Sequence, residues 1–439
     1  MKQTFTRFGL SIMALAWLLT GVGCKSEPAP MPLSAGVLEL SEYAAWGDGY
    51  TAGFAQAGLT PHSLPGLFPA GQQQAYPALL AQQLALVDSE VSFVQHLTTG
   101  NGSGYYALEE LEADPCEGQP PAMYRELRQA YSNWSAPGPT PPDNLGVPYL
   151  PVAAVHDPNR AYQDPFAQRI NLQGSYVQAM AQHPGRFYTL WLGLSDVMGY
   201  AMTGTASATY SPTPGATFAR HLADMLRSLN QNRASPVHLL LGNLPDPTQF
   251  PYFQALPHRY VSAEDCNSWQ QPVYYQEDPA ETIHILSEHD RLLLPAQPQI
   301  GKTNRKPGLV GLHRDNPLPD ELVLTQAELA EVQTIIQDYN RRIDSVARHF
   351  NDSLGYSMAV VVDLYQQFAQ LDPGLTIDGA PVSSHYLSGG IFEADGHTLT
   401  PKGQAYVANA FIEAINQTSD WDAGIPLLNL ANYPGVRFP

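Results

Sequence analysis

Charge is scarce in this chain. Only 14% of its 439 residues are Asp, Glu, Lys or Arg, and the basic ones are the rarest, 22 against 41 acidic. Two of the 22, Lys2 and Arg7, lie in the first 23 residues, so the remainder is more acidic still. This argues against a nucleic-acid backbone as partner, because phosphates are met by clustered Lys and Arg. Cysteine is nearly absent, with only Cys24, Cys116 and Cys266. A chain of this length buries a large core without metal or disulfides, so its stability does not depend on them. Histidines such as His221, His238, His284, His289 and His385 are scattered without a His-x-x-x-His spacing. No metal and no other cofactor is expected. Past the N-terminus no apolar run is long enough to cross a bilayer. What is abundant is apolar side chains, 44%, together with 39 prolines and 35 glycines. That composition describes a folded, loop-rich globular protein.

At the N-terminus, Lys2 and Arg7 precede an apolar run from Phe8 to Leu19, and Gly21-Val22-Gly23 lead to Cys24. The run has the length and flanks of an export signal. A cysteine directly behind small residues resembles the bacterial lipobox, whose Cys is acylated and becomes the mature N-terminus; Gly21 departs from that pattern, which has a branched apolar residue there. The resemblance implies a signal peptide over residues 1–23 and a lipidated Cys24. A flexible tether then runs through residue 38, and its Pro-rich Lys25 to Pro32 holds the domain off a membrane. The implied location is the cell envelope, with outer-membrane anchoring expected. Cys116 and Cys266 are left as an even pair in an oxidising compartment, and their separation in sequence does not decide whether they bond.

From residue 39 onward, short apolar runs alternate with helical patterns. Tyr43 to Trp46, Phe187 to Leu192, Val237 to Leu241 and Met358 to Leu364 read as buried strands of a parallel sheet. Thr325-Gln326-Ala327-Glu328 is a capping box, followed at spacings of three and four by Leu329, Val332, Ile336, Tyr339, Ile343, Val346 and Phe350. A second helix starts at Thr400-Pro401, with Thr as N-cap and Pro at the first helical position. Strands alternating with helices give an α/β sandwich. Two stretches, residues 114–157 and 245–319, read as long loop insertions of the kind that build the rim of a site. Trp134, Trp269, Tyr274 and Tyr275 lie in them, placed either to line a sugar or acyl site or to pack the loops.

Directly behind the first strand stands Trp46-Gly47-Asp48-Gly49-Tyr50-Thr51-Ala52-Gly53. Here the sequence resembles the SGNH, or GDSL, hydrolases, and their bacterial lipoprotein branch in particular, whose first block is Gly-Asp-Ser before a short helix. The likeness continues through Gly100-Asn101-Gly102-Ser103-Gly104-Tyr105, which resembles the second block with its oxyanion-hole glycine. Asn144-Leu145-Gly146-Val147-Pro148 resembles a further segment of these lipoproteins. Leu192-Gly193-Leu194-Ser195-Asp196 stands where Gly-x-Asn-Asp belongs, and Asn316-Pro317-Leu318-Pro319-Asp320 also fits. Gly390 to Gly403 resembles the last block, which supplies the Asp and His of the triad. The resemblance implies a three-layer α/β/α sandwich around a parallel sheet, flavodoxin-like, covering most of the chain.

The chemical positions depart from that pattern. The family's serine attacks an ester, a His takes its proton, an Asp three residues before that His orients it, and backbone N–H groups with an Asn hold the oxyanion. In this chain the nucleophile position is Gly49 and the Asn position is Ser195. Asp395 is present, but three residues later stands Thr398, and the histidine is His397, where a local slip would be needed to restore its direction. Gly102 is the implied oxyanion glycine, and Asp48 and Asn101 are implied in binding or in fixing the turn. Gly49 either serves a turn with positive φ or marks a lost side chain that enlarges the pocket. Thr51, Ser103 and Ser195 are the nearest substitute hydroxyls, and water activated by His397 with Asp395 is the other catalytic route. Three departures at three catalytic positions favour a surface lipoprotein that binds a glycan or acylated ligand in a former esterase pocket. The alternatives are an active ester hydrolase with altered residues and an inert structural protein.

Overall fold

Five short strands, four of them fully buried and the last half-buried, make the central sheet: β1 (Ala44–Gly47), β2 (Asn144–Gly146), β3 (Phe187–Trp191), β4 (His238–Gly242) and β5 (Ala359–Val362). The computed structural model describes residues 32–55, 66–99, 105–111, 123–128, 141–172, 174–204, 211–231, 233–261, 270–277 and 281–436. Cys24, Asn101, Gly102, Ser103, Cys116, Trp134, Cys266 and Trp269 lie outside them. All five strands pair in parallel in the order β5-β4-β3-β1-β2. Ala44 stands opposite Tyr188, Tyr188 opposite Leu239, and Leu239 opposite Ala359. Strands covered on both faces lose the apolar-polar alternation and read as continuous apolar runs, which is why four of them are visible in the sequence within two residues of their bounds.

The fifth is not. β2 sits inside the stretch 114–157 that reads as a loop insertion; three residues behind a Pro-rich run carry no periodicity of their own. Met123–Arg128 in the same stretch pairs antiparallel with Tyr105–Leu111. The insertion 245–319 likewise holds structure. Tyr274–Glu277 pairs with Thr282–Ile285 and with Leu318–Pro319. Beneath them is a small core that includes Val273, Tyr275, Leu286, Leu292, Leu318 and Val323. Tyr275 stacks on His284 with ring centroids 5.5 Å apart, so it packs this excursion and does not line a ligand site.

Seven helices matter for the site: α1 (Gly49–Ala52), α2 (Tyr76–Leu84), α3 (Tyr176–Gln182), α4 (Ser195–Thr203), α5 (Gly215–Asn230), α6 (Gln326–Leu354) and α7 (Pro401–Gln417). α2 packs on α7, while α5 packs on both α3 and α6, giving a helix layer on each side of the sheet. The caps are those the sequence announces. Thr325 Oγ1 accepts from the Glu328 N–H at 3.3 Å and Glu328 Oε2 accepts from the Thr325 N–H at 2.8 Å. Leu329, Val332, Ile336, Tyr339 and Ile343 are buried, and the stripe continues through Ala347 instead of Val346, because a period of about 3.6 residues carries the buried face from 343 to 347. Thr400 Oγ1 accepts from the Gly403 N–H at 3.0 Å with Pro401 at the first helical position. Among the described residues no helix is long and apolar enough to cross a membrane.

Candidate functional site

β1, β3 and β2 are neighbours in the sheet, so their carboxyl ends bring Asp48-Gly49, the start of α4 and the segment Gly146–Tyr149 to one edge. Open parallel sheets bind ligands at that edge. Asp48 caps α1, its carboxylate accepting from the Tyr50 N–H at 3.2 Å and from Ser195 Oγ at 2.9 Å. Gly49 opens the helix and does not have a positive φ. A Cβ built on it meets nothing nearer than Phe54 at 3.4 Å, an ordinary contact. The reading of Gly49 as a conformational necessity therefore falls away, and a serine fits the space.

The last block is a closed hairpin. Phe392 bridges Leu399, the Glu393 N–H donates to Thr398 O at 2.8 Å, and the Gly396 N–H donates to Glu393 O at 2.9 Å. Gly396 turns with φ 74°, and a Cβ there would lie 2.6 Å from Tyr252 N, so this position does require glycine. Inside the turn Asp395 is 1% exposed. Its Oδ1 accepts from the His397 and Thr398 N–H groups at 2.9 and 2.8 Å, and its Oδ2 from Thr398 Oγ1 at 2.7 Å. The place three residues after the aspartate is thus held by a hydroxyl that turns back onto the carboxylate. His397 Nδ1 stands 3.5 Å from Asp395 Oδ1 and 3.3 Å from the Asp395 carbonyl, with its ring edge-on to Tyr252. In this hairpin register Thr398, and not His397, holds the place three residues after Asp395.

Side-chain bonds tie this hairpin to α1. Tyr50 Oη donates to His397 O at 2.6 Å, and the Tyr50 ring stacks on Trp191 with centroids 5.0 Å apart. Gln404 of α7 accepts from the Tyr76 N–H at 2.8 Å and donates to Tyr50 O at 3.4 Å. The first, third and last blocks therefore meet. Two of the substitute hydroxyls do not serve them: Thr51 is fully buried with its Oγ1 bonded to Tyr76 Oη at 3.1 Å, and the Ser195 hydroxyl is committed to Asp48, while Ser103 lies outside the described residues. Neither is hydrogen bonded to His397. The Tyr50 phenol is held well above its ordinary pKa by burial and then by the Asp48 and Asp395 carboxylates, so it is no base either.

The end of β2 is the part of the site that sequence reasoning underrated. Asn144 is buried and its Nδ2 donates to Thr51 O at 2.9 Å, anchoring α1. A Cβ on Gly146 would run into the Ala52 backbone, so the glycine lets β2 approach the helix. Tyr149 follows with φ 59°, a conformation that a bulky residue adopts only under constraint. Its ring is edge-on to Phe54 at 5.4 Å and 48% exposed. The signal was the Asn-Leu-Gly-Val-Pro match itself, which marked a block at the sheet edge rather than a remote segment.

Burial also sets the charge state of the site. Asp48 is pushed up to about 6 by desolvation, against the bonds from Ser195 and Tyr50. Its neighbour Asp196, which accepts from Thr213 Oγ1 and from the Val152 N–H, is pushed up to about 7, again chiefly by burial. A carboxyl whose folded pKa is raised contributes stability that is complete below its unfolded pKa and is lost as pH rises through the folded value. Each of the two is worth on the order of 3 kcal/mol across that window. The melting temperature is therefore expected to fall by several degrees between about pH 5 and about pH 8. Calorimetry of Asp196→Asn, which keeps an acceptor oxygen, should show a distinctly smaller fall; an unchanged fall would mean that Asp196 is not the titrating group.

Among curated proteins, none matches the chain in a direct sequence comparison. The sequence profile described as GDSL-like Lipase/Acylhydrolase matches residues 45–411, a span that runs from β1 into α7 and takes in the first, third and last blocks whose geometry is given above. With that span on a five-stranded parallel sheet between two helix layers, this chain belongs to the GDSL-like lipase/acylhydrolase family.

Proposed function

We propose that this protein is a surface lipoprotein of the GDSL-like family that has lost ester hydrolysis and binds a glycan or acylated ligand at the former active-site edge. One observation carries the reading: Thr398 Oγ1 donates to Asp395 Oδ2 at 2.7 Å, so the carboxylate that orients the family's histidine is turned onto its own loop. Gly49 opens α1 with no nucleophile, and Ser195 Oγ is taken up by Asp48. Among the described residues a covalent step lacks both the attacking group and its base. The exposed Tyr149 ring beside Phe54 offers an apolar face of the kind that sugars and acyl chains stack on. The lipid anchor rests on Cys24 and its flanks.

A second reading has one arrangement in its favour: the His397 ring is 14% exposed and 3.5 Å from Asp395, as a histidine that activates water would be. Hydrolysis of p-nitrophenyl acetate separates the two. Wild type is expected to match the protein-free rate. A rate well above it that disappears in His397→Gln would sink the first reading and establish the second.

A further inference from the structure

The second excursion ends in a stretch whose charge is opposite to that of the chain. From Arg291 to Arg314 there are five basic residues and no acidic one, in a protein of formal charge −19. Lys302, Arg305 and Lys306 fall within five residues and are exposed. Elsewhere arginines meet carboxylates, as Arg227 meets Asp224 and Arg342 meets Asp338. Among the described residues no ion pair engages Lys302, Arg305, Lys306 or Arg314.

This is a built loop and not a loose run of charge. The Gly301 N–H donates to Val310 O and the Val310 N–H to Lys302 O, both at 2.9 Å. Asn316, 1% exposed, exchanges two side-chain hydrogen bonds with Asn304 at 3.1 and 2.9 Å and donates to Gly308 O at 2.9 Å. Asn304 Oδ1 also accepts from the Lys306 N–H at 2.8 Å. The network fixes Lys302 and Lys306 on the wall of a cleft of about 640 Å³, which Gln276, Gln299 and Thr303 also line. Among the described residues that line it the one carboxylate, Asp320, is 6% exposed. None of the described residues of the Gly49 site lines this cleft.

We propose that this cleft binds a short acidic saccharide, with Lys302 and Lys306 meeting its anionic groups and the amide and hydroxyl side chains meeting its sugar hydroxyls. The volume is that of a small-ligand site, about 300–1,000 Å³ in general. Amides offer donors and acceptors together, which alternating sugar hydroxyls require, and the lysines are mobile point charges suited to a carboxylate or sulfate of any orientation. A local positive cleft on an acidic protein also draws an anion to a place where the surface does not repel it. Because the loop is already hydrogen bonded, little ordering opposes binding. The inference rests on this cleft alone and holds whichever way the ester assay falls.

Isothermal titration calorimetry of the purified protein with trigalacturonate tests it, with maltotriose as the neutral counterpart and inorganic phosphate as the bare anion. Trigalacturonate is expected to bind, the other two at least about tenfold more weakly. Lys302→Gln with Lys306→Gln, at exposed positions where folding is not at stake, should weaken trigalacturonate by about tenfold or more, as should raising salt from about 0.05 to about 0.5 M. No heat with trigalacturonate, equal binding of maltotriose or of phosphate, or an unchanged affinity in the double variant would each overturn the proposal.

Discussion

Gly49→Ser combined with Thr398→His is expected to give this protein measurable turnover of p-nitrophenyl acetate, where either substitution alone gives none. A serine at position 49 finds ordinary contacts, since a Cβ there is 3.4 Å from Phe54 and the backbone needs no positive φ. Alone it has no base, because the position three residues after Asp395 holds a hydroxyl already bonded to the carboxylate. General-base assistance is worth about 10²–10⁴ in rate, and that factor is what Thr398→His supplies. The double variant should still be slow. With Ser195 where the family has Asn, one oxyanion donor is missing, a deficit of about 10²–10³, and adding Ser195→Asn should recover part of it. We expect at least about 10² over wild type from the double variant. Thr398 is 4% exposed, so the larger imidazole carries an overpacking cost of about 1–3 kcal/mol, which a melting curve reads separately. If Gly49→Ser alone matches the double variant, His397 is the base after all. If the double variant folds and stays silent, the family's catalytic geometry has not survived around Gly49.

The sequence disclosed this fold where burial leaves a long or periodic trace. Phe187 to Trp191, fully buried, is apolar except for Thr189, whose hydroxyl pairs with Tyr43 Oη, and the capping box at Thr325 with its stripe of buried residues announces a helix of any tertiary context. β2 leaves no such trace; three residues acquire their meaning only by lying beside Ala45, Trp46 and Gly47. The site divides in the same way. That Gly49 has no nucleophile follows from the residue alone. Where the Asp395 carboxylate points follows from the hairpin closed by Phe392 and Leu399, a pairing no periodicity encodes. Ser195 is a comparable case: its hydroxyl has the right chemistry for an oxyanion donor, yet the meeting of β1 and β3 at the sheet edge gives it to Asp48. Composition was similarly silent on the basic cleft, because the acidic average of the whole chain hides a stretch of 24 residues with the opposite sign.

Asp395→Ala is expected to destabilise the protein by on the order of 3 kcal/mol, whatever it does to any activity. The substitution leaves the His397 and Thr398 N–H groups and the Thr398 hydroxyl without their acceptor in a turn where Asp395 itself is 1% exposed. Each donor orphaned in such a place costs about 1–3 kcal/mol, and the relief of no longer burying a carboxylate offsets part of the sum. Asp395→Asn separates geometry from charge. Its carbonyl oxygen can accept from both N–H groups and its amide can donate to Thr398 Oγ1, so a loss within about 1 kcal/mol is expected. Thr398→Val, which removes only the hydroxyl, should fall between them at about 1–2 kcal/mol. Urea unfolding of the three variants orders them. A loss below about 1 kcal/mol in Asp395→Ala would mean that the hairpin does not depend on this carboxylate. With alanine costing the expected amount of about 3 kcal/mol, asparagine as damaging as alanine would mean that the negative charge beside His397 is what matters, which is the arrangement a working base requires and the opposite of a loop that has taken the carboxylate for itself.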